Sequence, residues 1–273
     1  MPTILDKFDL TGQTAIVTGG VGLLGTGFSR TLAEAGANVI VADLDAAKAQ
    51  QYAAKLGEAG HQAIGVGVDV TDKSSVEEMV ATAVDRTGRC DVLVCSAAMD
   101  PKFDNTQGDQ QNNAFENFPL ESWNAALSVN LTGLFLCAQA AAKPMIQQNH
   151  GVIINICSTY GLNGPDQRIY ERPGKAPRYK PVYYSVTKAG VLGLTRYLAA
   201  YYAGTKIRAN ALTPGGVYND HDELFEKNYA YRTIMGRMAE KDEMNGALLF
   251  LASDASSYMT GSNLVVDGGW TAW

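Results

Sequence analysis

The chain is poor in the residues that build metal sites and disulfide frameworks. It has four cysteines and three histidines in 273 residues. Cys90, Cys95, Cys137 and Cys157 show no C-x-x-C spacing, and His61, His150 and His221 lie far apart. No metal is therefore expected, and the cysteines read as reduced, mostly buried thiols of a cytoplasmic protein. Basic charge is also scarce: 22 Lys and Arg stand against 28 Asp and Glu, a net charge of −6. That argues against a broadly basic nucleic-acid-binding surface. The apolar runs are short or broken by Gly, Thr and Lys, so no membrane span is expected. Residues 1–7 lack the basic stretch and apolar core of a signal peptide. No linker-like composition and no internal repeat divides the chain.

What is present is the balance of a folded protein, 46% hydrophobic and 18% charged. A chain of this length buries a large core without disulfides. Apolar runs at 14–17, 39–42, 63–68, 91–94, 151–156, 207–212 and 263–266 predict strands. Helices are expected over 25–35, 46–59, 74–86 and 182–202, the third opened by a capping box of Ser74 and Glu77. Fully apolar strands alternating with helices predict a parallel sheet covered on both faces. The expectation is an α/β, doubly wound Rossmann-type fold, one domain spanning 1–273. Three long excursions, near 99–118, 162–181 and 215–236, follow strand ends, where ligands bind in this architecture.

Thr18-Gly19-Gly20-Val21-Gly22-Leu23-Leu24-Gly25 links the first strand to the first helix. Its glycines let the backbone approach a pyrophosphate, and the helix N-terminus offers free N–H groups. Gly19, Gly22, Leu23 and Leu24 are the candidate contacts. Asp43, followed by Leu44, ends the second strand 18 residues after Gly25, where a carboxylate accepts both hydroxyls of an adenosine ribose. It would repel a 2′-phosphate, and no Arg or Lys adjoins it, which favours NAD over NADP. Asp43 as a helix cap is the competing reading, although Asp45 is better placed for that. Asp69, with Val70 beside it, is a candidate acceptor for the adenine amino group or a plain turn residue.

Tyr184 and Lys188 stand four apart near the start of the long helix, on one face. A free phenol has a pKa of about 10. A nearby ammonium, and the positive ring of an oxidised nicotinamide, would lower it toward use as a base. Together with the glycine turn, Asn130 in Val129-Asn130-Leu131-Thr132-Gly133, and Ser158 beyond the fifth strand, this pair resembles the short-chain dehydrogenase/reductase family in its single-domain form. The resemblance runs from about residue 10 to residue 270. It implies that Asn130, Ser158, Tyr184 and Lys188 are catalytic. Tyr184 would take or give the hydroxyl proton, Ser158 would hold the reacting oxygen, and Lys188 would hold the ribose. Asn130 would support a water-linked proton path. Pro214-Gly215 and Val217 match the nicotinamide-side segment, and Ser96 and Ala97 follow the fourth strand beside the cofactor.

Departures from the family pattern are informative. The T-G-x-x-G-x-x-G spacing is more similar to members acting on nucleotide sugars. Cys95-Ser96-Ala97-Ala98 stands where N-N-A-G is usual, which removes two amides that tie this edge together. Asn219 replaces a common Thr. Ser158 and Tyr184 are 26 residues apart, and the extra segment 164–180 carries Arg168, Arg172, Lys175, Arg178 and Lys180 against Asp166 and Glu171, a local charge of +3. Arg168, Tyr170, Arg178 and His221 are therefore candidates, with Ser158 and Tyr184, for binding an anionic, hydroxyl-rich substrate. A subunit contact is the competing role for this segment. Tyr197–Tyr202, Trp270 and Trp273 read as packing and subunit contacts, consistent with the homotetramers common in the family. The expected function is NAD-dependent oxidation or reduction of a sugar or sugar acid. A nucleotide-sugar epimerase or dehydratase with tightly bound NAD, and a non-catalytic NAD-sensing protein, are the alternatives.

Overall fold

The computed structural model describes residues 3–100 and 113–273. Most of the first excursion, residues 101–112, lies outside the described residues. Among the described residues the strands are β1 (Thr14–Thr18), β2 (Asn38–Asp43), β3 (Ala63–Gly67), β4 (Val92–Cys95), β5 (Gly151–Ile156), β6 (Ile207–Pro214) and β7 (Asn263–Val266). They form one sheet in the order β3-β2-β1-β4-β5-β6-β7, with every neighbouring pair parallel. The order reverses between β1 and β4, which opens a crevice at the carboxyl ends of those strands.

The helices are α1 (Gly25–Glu34), α2 (Ala46–Glu58), α3 (Lys73–Thr87), α4 (Leu120–Leu127), α5 (Leu134–Gln148), α6 (Val182–Tyr201), α7 (Glu223–Arg232) and α8 (Asn245–Ala252). The strand pleat sends alternate side chains to opposite faces. Ile16, Ile40, Leu93 and Ile153 pack with α3, α5 and α6. Ala15, Val17, Val39, Val41, Val92 and Ile154 pack with α1, α2 and α8. This double burial explains why the strands read as continuous apolar runs.

Several local expectations are corrected. The N-cap of α3 is Asp72, whose carboxylate accepts from Ser74 N–H and Oγ at 2.9 and 2.7 Å. The charged Asp72 carboxylate takes both the Ser74 N–H and its hydroxyl, so it displaces the Ser74 capping box. Asp45 does cap α2, accepting from Lys48 N–H at 3.0 Å. Helix α7 occupies part of the third predicted excursion, and a 3₁₀ turn at Gln167–Tyr170 lies in the second. Residues 120–148 form α4 and α5 joined through a π-helical stretch, Ser128–Gly133. By length and composition alone Leu120–Gln148 is apolar enough to cross a membrane. In the fold its Leu134, Cys137, Ala138, Ala141 and Met145 are buried in the core below the sheet.

At the amino ends of the strands, the fully buried Asp91 carboxylate accepts from Arg89 Nε and Nη2 at 2.6 and 2.7 Å and from Thr14 N–H at 2.8 Å. Burial opposes its ionisation, but His150, Arg89 and Thr14 outweigh that and hold its carboxyl below the usual range. A depressed carboxyl contributes stability above its unfolded pKa of about 3.9. That contribution is lost as pH falls through the lower folded value. Asp91→Ala is expected to cost about 1.5–3 kcal/mol in urea unfolding at neutral pH, and to flatten the acid limb of the stability profile below pH of about 4.

Candidate active site

The turn after β1 is shaped by contacts that exclude side chains. Gly19 has φ +65°, and a Cβ there would meet Ala97 at 2.9 Å. A Cβ on Gly25 would collide with the Gly19 carbonyl. The turn therefore packs on the end of β4 and under the first turn of α1. The N–H groups of Leu23 and Leu24 have no backbone acceptor among the described residues. They remain available to an anion at the α1 N-terminus. Asp43 stands beside them, half-buried, its Oδ2 accepting from Val21 N–H and its Oδ1 from Asp45 N–H, both at 3.2 Å. Leu44 is exposed next to it. Lys48, though not adjacent in sequence, also feels the Asp43 carboxylate, but its ammonium is held by Asp45 at 2.8 Å.

The edge formed by Ser96 and Ala97 is firmly tied despite its lost amides. Thr18 Oγ1, a residue the sequence reading passed over, accepts from both N–H groups at 3.2 and 3.3 Å. Asp69 serves its turn, Oδ1 accepting from Thr71 N–H and Oγ1 at 2.9 and 2.7 Å. Val70 is buried against the start of α5. On the far side, Gly215 N–H donates to Val266 at 2.8 Å, and Val217 forms a bridge with Ala239. These positions form a cradle along the carboxyl ends of the strands, on both sides of the β1–β4 switch point. Its open glycine turn, free N–H groups and ribose-side carboxylate fit a nicotinamide dinucleotide.

Ser158, Tyr184 and Lys188 converge where β5 meets α6. Ser158 leaves β5 in extended conformation and caps a 3₁₀ turn, its Oγ accepting from Tyr160 N–H at 3.2 Å. Gly161 in that turn has no room for a Cβ, which would strike the Lys188 backbone and Cys157 Sγ. Cys157 Sγ donates to the Lys188 carbonyl at 3.2 Å. The Ser158 hydroxyl acts on the Tyr184 phenol and favours its ionised form. Lys188 is buried and donates from Nζ to the Ile156 carbonyl at 2.8 Å, 5.8 Å from the Tyr184 ring centre.

This geometry corrects one expectation. Burial pushes the Tyr184 phenol above its ordinary pKa, and the nearby Asp100 carboxylate adds to that. Lys188 does not offset it, because its ammonium is turned toward the Ile156 carbonyl and is itself shifted down by burial. Asn130 sits in the π-helical stretch, a feature frequent at functional sites. Its Oδ1 accepts from Met99 N–H at 2.6 Å, and its Nδ2 donates to Met99 O and Thr187 Oγ1 at 3.1 and 3.3 Å. The carboxamide thus fixes the start of the first excursion against α6.

The basic segment divides differently from its charge count. Arg168 is an exposed side chain locked to Asp166 by two bonds of 2.7 Å. Arg172 is held by Asp222 at 2.6 Å, which ties the segment to the start of α7. Arg178 is half-buried. Arg168 does not face Tyr184: its own sequence neighbour neutralises it at the surface. Tyr170 is buried in an aromatic cluster, its hydroxyl donating to that of Tyr160 at 3.1 Å, so it supports the site from behind. His221 stacks on Phe225 at 4.8 Å, and its Nδ1 accepts from Asn219 N–H at 3.2 Å. Lys180 is the basic residue that does reach the centre, 4.0 Å over the Tyr184 ring and paired with Asp100. Its place four residues before Tyr184 was the available signal. Tyr160, also missed, and Trp270, expected as a packing residue, stack edge-on behind Tyr184, with ring centres 6.3 Å apart for Tyr160–Tyr184 and 6.2 Å for Tyr160–Trp270.

Comparison with known proteins agrees with this geometry. A family described as Enoyl-(Acyl carrier protein) reductase matches residues 22–271. Galactitol 2-dehydrogenase (L-tagatose-forming) of Cereibacter sphaeroides is 35% identical, covering 97% of this chain and 98% of its own. A short-chain type dehydrogenase/reductase from Mycobacterium marinum superposes with a TM-score of 0.86 at 32% identity over the whole of both chains. A gluconate 5-dehydrogenase from Burkholderia cenocepacia J2315, solved with NADP and tartrate, gives a TM-score of 0.85 at 33% identity, covering 99% of this chain and 100% of that one.

The cradle makes a direct expectation. Gly25→Ala should weaken NADH binding, followed by nucleotide fluorescence, by about tenfold or more, the scale of one or two lost charge-assisted bonds. Gly57→Ala, in the exposed last turn of α2 with open space around it and no left-handed backbone to strain, serves as the control at a glycine away from the cradle.

Proposed function

Since the chain belongs to the short-chain dehydrogenase/reductase family, we propose that it is an NAD-dependent dehydrogenase that interconverts a secondary alcohol and a ketone on a sugar or anionic sugar derivative. The observation that carries the reading is the convergence of Ser158, Tyr184 and Lys188 at the end of β5, beside the glycine cradle and Asp43. Asp43 supports NAD over NADP, because a carboxylate at the end of β2 disfavours a 2′-phosphate. Relatives named for galactitol and gluconate support a hydroxyl-rich substrate.

In oxidation, the Ser158 hydroxyl and the Tyr184 phenolic oxygen hold the substrate hydroxyl between them. Tyr184 takes its proton as the carbinol carbon gives up hydride. The cofactor, when bound, accepts that hydride and, oxidised, brings positive charge beside the phenol. Gly19, Leu23, Leu24 and Asp43 would hold its phosphate and ribose side, and Lys188 its nicotinamide side. In reduction, the protonated phenol donates to the carbonyl oxygen. Burial that keeps Tyr184 protonated favours this role at neutral pH.

Two further readings belong to this proposal. The exposed, stacked Tyr197–Tyr201 pair on α6 and the exposed Phe135 and Ile146 on α5 support a homotetramer. Four buried, unpaired thiols suit a reducing compartment such as the cytoplasm.

Initial rates with a panel of acidic and neutral sugars are expected to favour NAD⁺ over NADP⁺, a preference that Asp43→Ala should erode. Tyr184→Phe should lower kcat by about 10²–10⁴-fold. A raised phenol pKa means that the base form grows with alkalinity. Oxidation should therefore accelerate with pH through the alkaline range, while reduction slows. Failure of every alcohol in the panel with both cofactors would overturn the reading. Light scattering is expected to give a tetramer, and a monomer would contradict that part.

A further inference from the structure

The Lys180–Asp100 pair stands over the ring of Tyr184. Lys180 Nζ lies 4.0 Å over the Tyr184 ring centre, with only 10% of its side chain exposed. Asp100 Oδ1 is 2.6 Å from it, yet the Asp100 side chain is 61% exposed. One partner is fixed and buried, and the other is loosely held. The fixing is explicit: Gln167 Oε1 accepts from Lys180 N–H at 2.8 Å, and Gln167 Nε2 donates to Lys180 O at 3.3 Å. Pro181 follows and opens α6. The ammonium is thereby held over the Tyr184 ring from the residue just before the cap of the helix that carries Tyr184.

The surroundings agree. Asp100 acts electrostatically on Tyr160, Tyr184, Lys188 and His221, so its charge is felt on every side of the Tyr184 phenol. The other cations of the basic segment with assigned partners, Arg168 and Arg172, are bound to Asp166 and Asp222 away from Tyr184.

We propose that Lys180 is the anion-anchoring residue of the substrate site, and that the Asp100 carboxylate occupies its ammonium until a substrate carboxylate replaces it. With Nζ 4.0 Å from the ring centre, a carboxylate at about 2.8 Å from Nζ and a carbinol oxygen at about 2.6–3.2 Å from the phenol lie close together, with at most about one carbon between the carboxyl and carbinol carbons. The site therefore selects 2-hydroxy and 3-hydroxy acids, sugar acids reacting near their carboxyl end included. This inference rests on the dehydrogenase reading for the role of Tyr184, but the anion site itself is testable by binding.

The test is calorimetric titration of the protein saturated with NADH, using 3-hydroxybutyrate and lactate, each against its neutral methyl ester. Lys180→Met is expected to raise Kd for the acids about tenfold or more and to change the esters less than about twofold, the loss expected for a charged hydrogen bond. Asp100→Asn is expected to tighten the acids severalfold and leave the esters unchanged, a gain that a damaged fold does not produce. Acids and esters weakening together in Lys180→Met, or acids weakening in Asp100→Asn, would overturn the proposal. Acids that bind in this pattern but are oxidised with neither NAD⁺ nor NADP⁺ would uphold the anion site and count against the dehydrogenase reading.

Discussion

Helix α6 lies against the end of β5 through contacts that leave little room for adjustment. Gly161 meets the Lys188 backbone without a side chain, Cys157 Sγ donates to the Lys188 carbonyl, and Lys188 Nζ donates to Ile156 O. Two helical turns further on, inside the core, Asn155 Nδ2 donates to Thr195 Oγ1 at 2.9 Å. These bonds set the height and rotation of α6, and hence where the Tyr184 phenol stands relative to Ser158. A helix free to slide by even an ångström would separate the two hydroxyls that must grip one oxygen. Asn130 extends the same constraint to the first excursion, through Met99 on one side and Thr187 of α6 on the other.

The aromatic cluster gives that placement its electrostatic character. Tyr160, Tyr170, Phe225, Tyr229 and Trp270 pack together behind Tyr184, with Trp270 only 2% exposed and stacked on Tyr229 at 4.3 Å. They remove water from around the phenol, so nearby charges act on it strongly. Desolvation alone favours the neutral phenol. The site is then responsive to whichever charges enter it: Asp100 holds the proton on, and positive charge draws it off.

Much of this was legible in the sequence, for physical reasons that also mark where legibility ended. Strands buried on both faces become uninterrupted apolar runs, so the sheet and its order of elements could be read directly. The glycine turn, Asp43, Ser158, Tyr184 and Lys188 were found because their spacing is fixed by a strand-turn-helix frame. The helix at residues 120–148 was not read, since its apolar residues spread around the axis and a π-helical stretch breaks the period at Asn130. Charge counting over 164–180 saw a sum of +3 but not its pairing. Asp222, 50 residues away from Arg172, enters only through the fold. The i,i+4 relation of Tyr184 and Lys188 showed a shared face, but not that the ammonium would turn toward the Ile156 carbonyl.

The central claim is that Tyr184 is a buried phenol kept protonated by its surroundings and released by positive charge at the cofactor site. Ultraviolet difference titration of wild type against Tyr184→Phe, with and without saturating NAD⁺, tests it most directly. The account predicts a phenol that ionises above the usual value of about 10 in the free protein, and clearly lower once NAD⁺ is bound. A phenol already ionised near neutrality in the free protein, or one unmoved by NAD⁺, would contradict it.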